Sequence, residues 1–185
     1  MNKIILGLVG EIASGKGTTA KYLQEKYNGN THRFSTMLRD VAGRMHLEES
    51  RENLQKLSTA FRQYFGDDIL SKTIYFDVSG DKAGLVIIDG VRRIPDIQYL
   101  SALPGFKLVY IEADIENRYK RIVERGENVD DKNKTLEDFK KDHNWETEKD
   151  IVDLKEKADF ILDNNGNLKD LYAQADKIIG ELKNK

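Results

Sequence analysis

Several features that mark other protein classes are missing from this chain of 185 residues. It has no cysteine, which excludes disulfide bonds and thiolate metal sites. Its longest apolar stretch, Ile4 to Val9, is far too short to span a bilayer, and we expect neither a signal peptide nor a membrane contact. The net charge is only −2, and no run of five lysines or arginines occurs, which argues against binding to nucleic acids or other polyanions. A cytoplasmic protein is therefore the expectation.

The apolar residues that are present fall into short runs separated by segments with helical spacing. The run at 3–9, KIILGLV, is too short for an independent helix and indicates a strand buried on both faces. The strand candidates, in order, are 3–9, 32–35, 84–89, 107–113 and 158–163. The helix candidates are 17–27, 51–65 and 167–183. Strands that alternate with helices predict an α/β fold, in which a parallel five-stranded sheet carries helices on both faces.

Two stretches interrupt this alternation. Residues 35–78 hold several helical segments, and residues 126–149 are polar and highly charged. Ligands of α/β sheets bind outside the carboxyl ends of the strands, and both stretches follow such ends or the helices that lead from them. We interpret the first as an acceptor-binding insert and the second as a lid, within a single domain over 1–185. The alternative for each stretch is a solvated helical hairpin.

The stretch VGEIASGKGTT at 9–19 has the spacing of a phosphate-binding loop. It lies between a strand candidate and a helix candidate, which is the context that the motif requires. Gly10 and Gly15 permit backbone conformations that side chains forbid, so successive amides can point at phosphate groups, and Lys16 adds a positive charge. The alternative is a glycine-rich turn with an incidental lysine. Gly17 stands where a serine or threonine normally ligates Mg²⁺.

The Gly-Lys-Gly-Thr sequence at 15–18 resembles the loop of the adenylate-kinase family of nucleoside monophosphate kinases. Ser14-Gly15-Lys16 is closer to dephospho-CoA kinases and other small P-loop kinases, because adenylate kinases usually carry a Pro-Gly pair there. The resemblance implies a three-layer P-loop NTPase fold, ATP as cofactor, and Mg²⁺ held largely through water, with Thr18 at the nucleotide phosphates. The implied ATP-binding residues are Gly10, Ala13, Ser14, Gly15, Lys16, Gly17, Thr18, Thr19, Arg118 and Asn165.

The sequence LVIID at 85–89 places a carboxylate at the end of a strand candidate. Asp89 would face the phosphate loop and hold water molecules of Mg²⁺. The continuation DGVRR resembles Asp-Gly-Phe-Pro-Arg of adenylate kinases and an Asp-Gly-(Ile/Val)-Arg form of dephospho-CoA-kinase-related proteins. The arginine of those motifs reaches a phosphate, for which the planar guanidinium is suited. We favour Arg92 for this role, with Arg93 as the alternative.

Further candidates for the acceptor site lie in the insert. The segment FSTMLRDVA at 34–42 resembles the acceptor segment of adenylate kinases. Ser35 or Thr36 is expected to cap the following helix, and Arg39 to pair with an acceptor phosphate. The alternative is a capped amphipathic helix with Arg39 in solvent. The implied acceptor-binding residues are Ser35, Arg39, Arg62, Arg92 and Arg93.

Arginines also recur at 118, 121 and 125, at spacings that place them along one face of a helix. In the kinases that this chain resembles, arginines at this point stack on the ATP base or clamp phosphates as a lid closes. The alternative is a solvated basic helix. The segment DNNGN at 163–167 resembles the loop beside adenine in dephospho-CoA kinases. The implied catalytic residues are Lys16, Asp89, Arg92 and Arg121.

These patterns predict an ATP- and Mg²⁺-dependent phosphotransferase that moves the γ-phosphoryl group to a small nucleotide acceptor. Several acceptor-side arginines favour an acceptor that carries phosphate, and so a (deoxy)nucleoside monophosphate. A hydroxyl acceptor of the dephospho-CoA type is the alternative, and it would need a nearby carboxylate such as Asp40 or Asp89. A nucleotide-binding regulatory ATPase is a third possibility, from a different functional class.

Overall fold

The computed structural model of the protein describes residues 3–125, 135–143, 150–151 and 153–184. Within these residues, five strands form one parallel sheet in the order β2-β3-β1-β4-β5. The strands are β1 (Ile4–Val9), β2 (Asn30–Arg33), β3 (Leu85–Val91), β4 (Phe106–Glu112) and β5 (Phe160–Asp163). The predicted α/β fold with a parallel five-stranded sheet is confirmed.

Helices follow every strand of the sheet. They are α1 (Lys16–Tyr27), α2 (Phe34–Arg44), α3 (Arg51–Phe65), α4 (Ile69–Gly80), α5 (Ile94–Ile97), α6 (Ile115–Arg125), α7 (Leu136–His143) and α8 (Leu168–Lys183). Short 3₁₀ turns lie at Leu100–Ala102 and Leu154–Lys157. None of the helices in the described part of the chain is long and apolar enough to cross a membrane.

Alternate side chains of the central strands pack into two separate cores. On one face of the sheet, Ile5 and Val9 of β1 pack with buried residues of α2 and α4. On the other face, Leu6 and Leu8 pack with buried residues of α1 and α8. All six residues of β1 are therefore buried, which is why the strand is a continuous apolar run rather than an alternating one.

The strand prediction over 32–35 was wrong for its last two residues. The strand β2 ends at Arg33, and Phe34 already begins α2. Phe34 and Leu38 lie four residues apart, so a helix turns both side chains onto the sheet, where both are buried. Tertiary packing thus favours a helix over a continued edge strand at this point.

The two stretches that interrupt the alternation are described to different extents. The helices α2, α3 and α4 occupy the predicted insert at 35–78. Of the predicted lid at 126–149, only 135–143 belong to the described residues, and they contain α7. Phe139 of α7 is fully buried, and its ring lies 6.0 Å from that of Tyr119 on α6. This contact attaches α7 to the helix that precedes it.

A polar network around Asp176 joins α8 to α1. Its carboxylate accepts hydrogen bonds from the hydroxyls of Tyr22 (2.9 Å) and Tyr27 (2.7 Å) and from Lys26 Nζ (2.7 Å). The Tyr22 ring stacks on that of Tyr172, with centroids 3.9 Å apart. Burial works to raise the pKa of Asp176, but the hydrogen bonds from Lys26, Tyr27 and Tyr22 outweigh it and hold the pKa below its ordinary value. Burial and the bond to Asp176 raise the pKa of Tyr27 to about 12.

We expect Asp176→Asn to lower the free energy of unfolding by about 1 kcal/mol at pH 7, because an amide keeps the shape but loses charge-assisted bonds. The pKa of Asp176 is depressed, so its contribution is present above the ordinary pKa of about 4 and is lost as the pH falls through the folded value. Urea denaturation should therefore show a smaller difference from wild type at pH 3 than at pH 7. Glu181→Gln, at an exposed position of the same helix, is the control. Equal differences at the two pH values would contradict this account.

Candidate functional site

The loop between β1 and α1 has the backbone geometry of an anion site. Gly10, Ala13 and Gly15 have positive φ angles of 151°, 60° and 111°. The helix α1 begins at Lys16, directly after Gly15, which has no side chain that could cap the first turn. The first amides of a helix have no partner within the helix, and together with the helix dipole they attract phosphate. The loop therefore presents backbone donors at the carboxyl end of β1.

Two buried side chains hold this loop from behind. Asn164, in the connection between β5 and α8, donates from Nδ2 to the carbonyl of Ser14 at 2.7 Å. Arg118 of α6 is 2% exposed, pairs through Nη2 with Glu11 Oε1 at 3.1 Å, and donates through Nη1 to the carbonyl of Ile12 at 3.4 Å. Two side chains that are far away in the sequence thus hold the loop in position.

Two buried polar atoms at the loop lack a hydrogen-bond partner within the described part of the chain. They are Ser14 Oγ and Asn164 Oδ1. A buried polar atom without a partner costs free energy unless a ligand or a water molecule satisfies it. The Ser14 hydroxyl and the amides of the first turn can donate to the phosphate chain of a nucleotide, whereas Asn164 Oδ1 only accepts and would be satisfied by a water molecule.

The side chains that follow the loop face in different directions. Lys16 Nζ donates to the carbonyls of Gly10 (2.6 Å) and Glu11 (2.8 Å), so its ammonium group lies over the loop. Thr18 is exposed, whereas Thr19 is buried and donates to the carbonyl of Gly15 at 3.1 Å. Of the two threonines, Thr18 is therefore the one accessible to a ligand.

The strand β3 continues past its predicted end at 89 to Val91, and Asp89 lies near that end, where its register partners are Leu8 on β1 and Arg33 on β2. Its Oδ2 forms an ion pair with Arg33 Nε at 3.0 Å. In the described residues no three His, Cys, Asp or Glu side chains cluster as a metal site. A Mg²⁺ ion here would depend on Asp89, water and the oxygens of a bound phosphate, which is a ligand set that Mg²⁺ accepts.

Arg33 was not among the site residues predicted from the sequence. The available signal was a charged residue at the carboxyl end of a strand candidate, because ligands bind at that edge of a parallel sheet. That signal was weak, because the predicted strand ran on to residue 35 and so did not place Arg33 at its end.

A second group of arginines is arranged around Asp96, in α5. The carboxylate is 2% exposed, and its Oδ2 accepts the backbone N–H groups of Arg92 (3.0 Å) and Arg93 (3.1 Å). Its Oδ1 pairs with Arg62 Nη2 of α3 at 3.4 Å. Asp96 therefore fixes the turn that follows β3 and ties it to the insert. No sequence motif indicated this residue.

Arg62 and Arg93 form a cationic cluster with unused donors. Both side chains are 21% exposed, and the Nε of each is buried and lacks a hydrogen-bond partner within the described part of the chain. Arg93 Nη2 also donates to Asp67 Oδ1 at 2.9 Å. Burial, and next the charge of Arg93, hold the pKa of Arg62 below its usual range. Two neighbouring guanidinium groups that are partly exposed suit an anion such as phosphate.

The candidates in α2 are placed differently from what their motif implies. Arg39 is half exposed and pairs with Glu49 Oε2 at 2.9 Å. Ser35 is the second residue of α2, whose N-cap is Arg33. The expectation that Ser35 or Thr36 caps this helix was wrong, because the helix begins at Phe34, before either residue.

The remaining candidates lie between α6 and the connection that follows β5. Arg121 Nη2 donates to the carbonyl of Asn164 at 2.6 Å, and burial holds the pKa of Arg121 below its usual range. Asn165 Oδ1 accepts from the backbone N–H of Asp114 at 2.7 Å. The side chain of Arg125 lies outside the described residues. The asparagine that contacts the loop is thus Asn164, one residue before the one singled out from the sequence.

Comparisons with known proteins agree with this geometry. A family model described as an AAA domain matches residues 9–140. A UPF0200 protein of Methanoregula boonei is 28% identical over 178 residues, which are 95% of each chain. A solved structure of a Thermus thermophilus protein aligns with a TM-score of 0.65 at 17% identity, over 98% of this chain and 99% of that one. The shikimate kinase of Bacteroides thetaiotaomicron aligns with a TM-score of 0.65 at 12% identity, over 97% and 98% of the two chains. At these identities the two structures show the fold alone.

We expect Gly15→Ala to lower the free energy of unfolding by about 2 kcal/mol, because the residue has a positive φ and the space beside it is filled. A Cβ there would lie 2.2 Å from Asn164 Nδ2, so the bond from Asn164 to Ser14 would be displaced. Urea denaturation measures the loss.

The matched control is Gly43→Ala in α2. Apart from its two chain neighbours and the backbone of its own helix, a Cβ at Gly43 would meet no heavy atom of the described chain within 4 Å, and alanine favours a helix. This variant should be as stable as the wild type or more so. If the two alanine variants lost the same stability, the packing of the loop against Asn164 would not be what holds it.

Proposed function

Since the chain belongs to the AAA domain family, we propose that it is a cytoplasmic, ATP- and Mg²⁺-dependent kinase whose acceptor is a (deoxy)nucleoside monophosphate. The observation that supports this proposal is that two groups of donors suited to anions lie near the carboxyl end of β3. One is the phosphate loop beside Asp89, and the other is the cluster of Arg62 and Arg93 that follows it. A phosphoryl transfer between two nucleotides needs one such arrangement for the donor and one for the acceptor.

The loop is suited to the donor. ATP bound with Mg²⁺ supplies the phosphoryl group, and the metal neutralises part of its charge. The backbone amides of the first turn of α1, Lys16 and Thr18 would hold the phosphates, and Asp89 would hold the metal through water. Lys16 Nζ rests on two carbonyls of the loop, so it can exchange them for phosphate oxygens with a short movement of its side chain. Ser14 Oγ would donate to a phosphate oxygen and so gain the partner that it lacks.

The arginine cluster is suited to the phosphate of the acceptor. Arg62 and Arg93 repel each other, and a dianion beside them would relieve that repulsion. We therefore propose Arg93, rather than Arg92, as the arginine of the DGVRR motif that binds phosphate. The side chain of Arg93 is mostly buried beside Arg62, whereas that of Arg92 is exposed.

A phosphate-bearing acceptor also agrees with the state of the carboxylates at the site. A hydroxyl acceptor would need a general base within hydrogen-bond reach. Asp96 already accepts bonds from Arg62 and from two backbone N–H groups, and Asp89 is paired with Arg33 and would hold hydrated Mg²⁺ in the complex. The phosphate of a nucleoside monophosphate is itself a nucleophile and needs no such base.

One assay tests the proposed function. The protein is incubated with Mg²⁺ and ATP and with AMP, CMP, UMP, GMP, their deoxy forms or dephospho-CoA, and ADP formation is followed. We expect acceptor-dependent ADP with at least one nucleoside monophosphate. ADP with dephospho-CoA alone would support the hydroxyl-acceptor alternative, and ADP without any acceptor would support a regulatory ATPase. The proposal fails if none of the monophosphates increases ADP formation.

Arg93→Gln tests the acceptor site itself. We expect the KM of the acceptor to rise about tenfold to a hundredfold, because charge-assisted hydrogen bonds to its phosphate are lost, while the KM of ATP stays within about twofold. Arg92→Gln, one residue earlier, is the matched comparison and should change the acceptor KM much less. The opposite order of the two effects would assign the acceptor phosphate to Arg92.

A further inference from the structure

The ion pair between Arg33 and Asp89 links the edge strand β2 to the phosphate loop. We propose that Arg33 is an additional cationic group of the nucleotide site, which exchanges its partner. It pairs with Asp89 in the free protein, and it turns to the phosphate chain when a nucleotide binds, which leaves Asp89 to hydrated Mg²⁺ where the metal is present. The inference rests on the proposed function only in requiring that a nucleotide binds at the loop, and it does not depend on the acceptor.

The position of the guanidinium group is the first support. In the sheet register, Arg33 lies beside Asp89, and Asp89 lies beside Leu8, the penultimate residue of β1. From this strand end, Arg33 reaches the first turn of α1. Its Nη2 is the nearest atom to the point where a Cβ on Gly17 would stand, at 3.8 Å. The guanidinium group therefore bridges Asp89 and the start of the helix whose amides face phosphate.

The identity of residue 17 is the second support. In the usual phosphate loop, a serine or threonine hydroxyl at this position ligates Mg²⁺. This chain has Gly17, which is exposed, and the guanidinium of Arg33 lies beside it. A side chain longer than a methyl group at 17 would extend toward Nη2. Because residue 17 has no side chain, the guanidinium group of Arg33 can lie close to the position at which the hydroxyl of other phosphate loops ligates Mg²⁺.

The exposures of the two partners are the third support. The side chain of Arg33 is 53% exposed, and that of Asp89 is 14% exposed. An ion pair with one half-exposed partner is screened by solvent and contributes little to stability, so it opens easily. Asp89 is the more buried partner and needs a positive charge beside it, which either Arg33 or hydrated Mg²⁺ can supply. The planar fork of Arg33 can therefore turn to the oxygens of a bound phosphate chain, and hydrated Mg²⁺ can take its place beside Asp89.

A binding experiment tests this exchange without measuring transfer. A non-hydrolysable ATP analogue is titrated into the full-length protein by calorimetry, once with EDTA and once with saturating Mg²⁺. The variants are Arg33→Gln, Arg33→Lys and Asp89→Asn. Arg44→Gln removes one positive charge from an exposed position at the end of α2 and is the matched control.

We expect Arg33→Gln to weaken binding of the analogue about tenfold in EDTA, since one charge-assisted bond to phosphate is lost, and Arg33→Lys to weaken it less. Asp89→Asn should strengthen binding in EDTA, because Arg33 is released from its carboxylate. Mg²⁺ should improve binding by a larger factor in Arg33→Gln than in wild type, because the metal no longer competes with an arginine for Asp89. Arg44→Gln should match the wild type in both solutions.

An affinity of Arg33→Gln within about twofold of both wild type and Arg44→Gln in EDTA would overturn the proposal and leave Arg33 as a structural partner of Asp89. If Arg33→Gln does not fold, Asp89→Asn decides, and unchanged or weaker binding in EDTA is then the contradicting result. A wild type that does not bind the analogue overturns this inference and the donor site together. Binding that depends on Arg33, without transfer to any acceptor, overturns the proposed function alone.

Discussion

The backbone conformation of residues 10–15 is the constraint on which the rest of the candidate site depends. Positive φ angles at three of these residues turn the chain around one point and start α1 with its amides facing that point. Such a loop does not hold this shape by itself, and here Asn164 and Arg118 fix its carbonyl groups from behind. The strands β4 and β5, which lead to α6 and to Asn164, thereby act as supports for a loop that follows β1. The order of the strands in the sheet is what brings these supports to the same edge.

Four cations at the site are each held by an acceptor group of the protein itself. Lys16 rests on loop carbonyls, Arg33 on Asp89, and Arg62 and Arg93 on Asp96 and Asp67. These contacts keep positive charge oriented toward the edge of the sheet, and they are weak enough at the exposed side chains to be exchanged for phosphate. Charge that is placed before the ligand arrives is the main way in which a kinase stabilises phosphoryl transfer. On our proposal, these cations therefore exchange their acceptors in the protein for phosphate oxygens when the nucleotides bind, and no further cationic side chain is brought to the site.

The patterns that are local in the sequence predicted the structure well. The apolar run before the loop, the helix over 51–65 with its observed bounds, and the α/β sheet all follow from periodicity and from turn residues. What was missed depends on contacts between distant segments. The bond from Asn164 to Ser14 joins residues 150 positions apart, and nothing in the sequence distinguishes Asn164 from Asn165. Arg33 and Asp96 were missed for the same reason, since their roles come from the register of β2 and from the packing of α3.

The central claim is that residues 10–18 bind the phosphates of ATP through backbone amides and Lys16. Calorimetric titration of Mg²⁺ and a non-hydrolysable ATP analogue into wild type and Lys16→Ala tests it most directly, with urea denaturation showing that both are folded. Our account predicts a saturable site in the wild type and at least about tenfold weaker binding in the variant, because one cation that faces phosphate is lost. Equal affinities of the two folded proteins, or a wild type that does not bind, would contradict it.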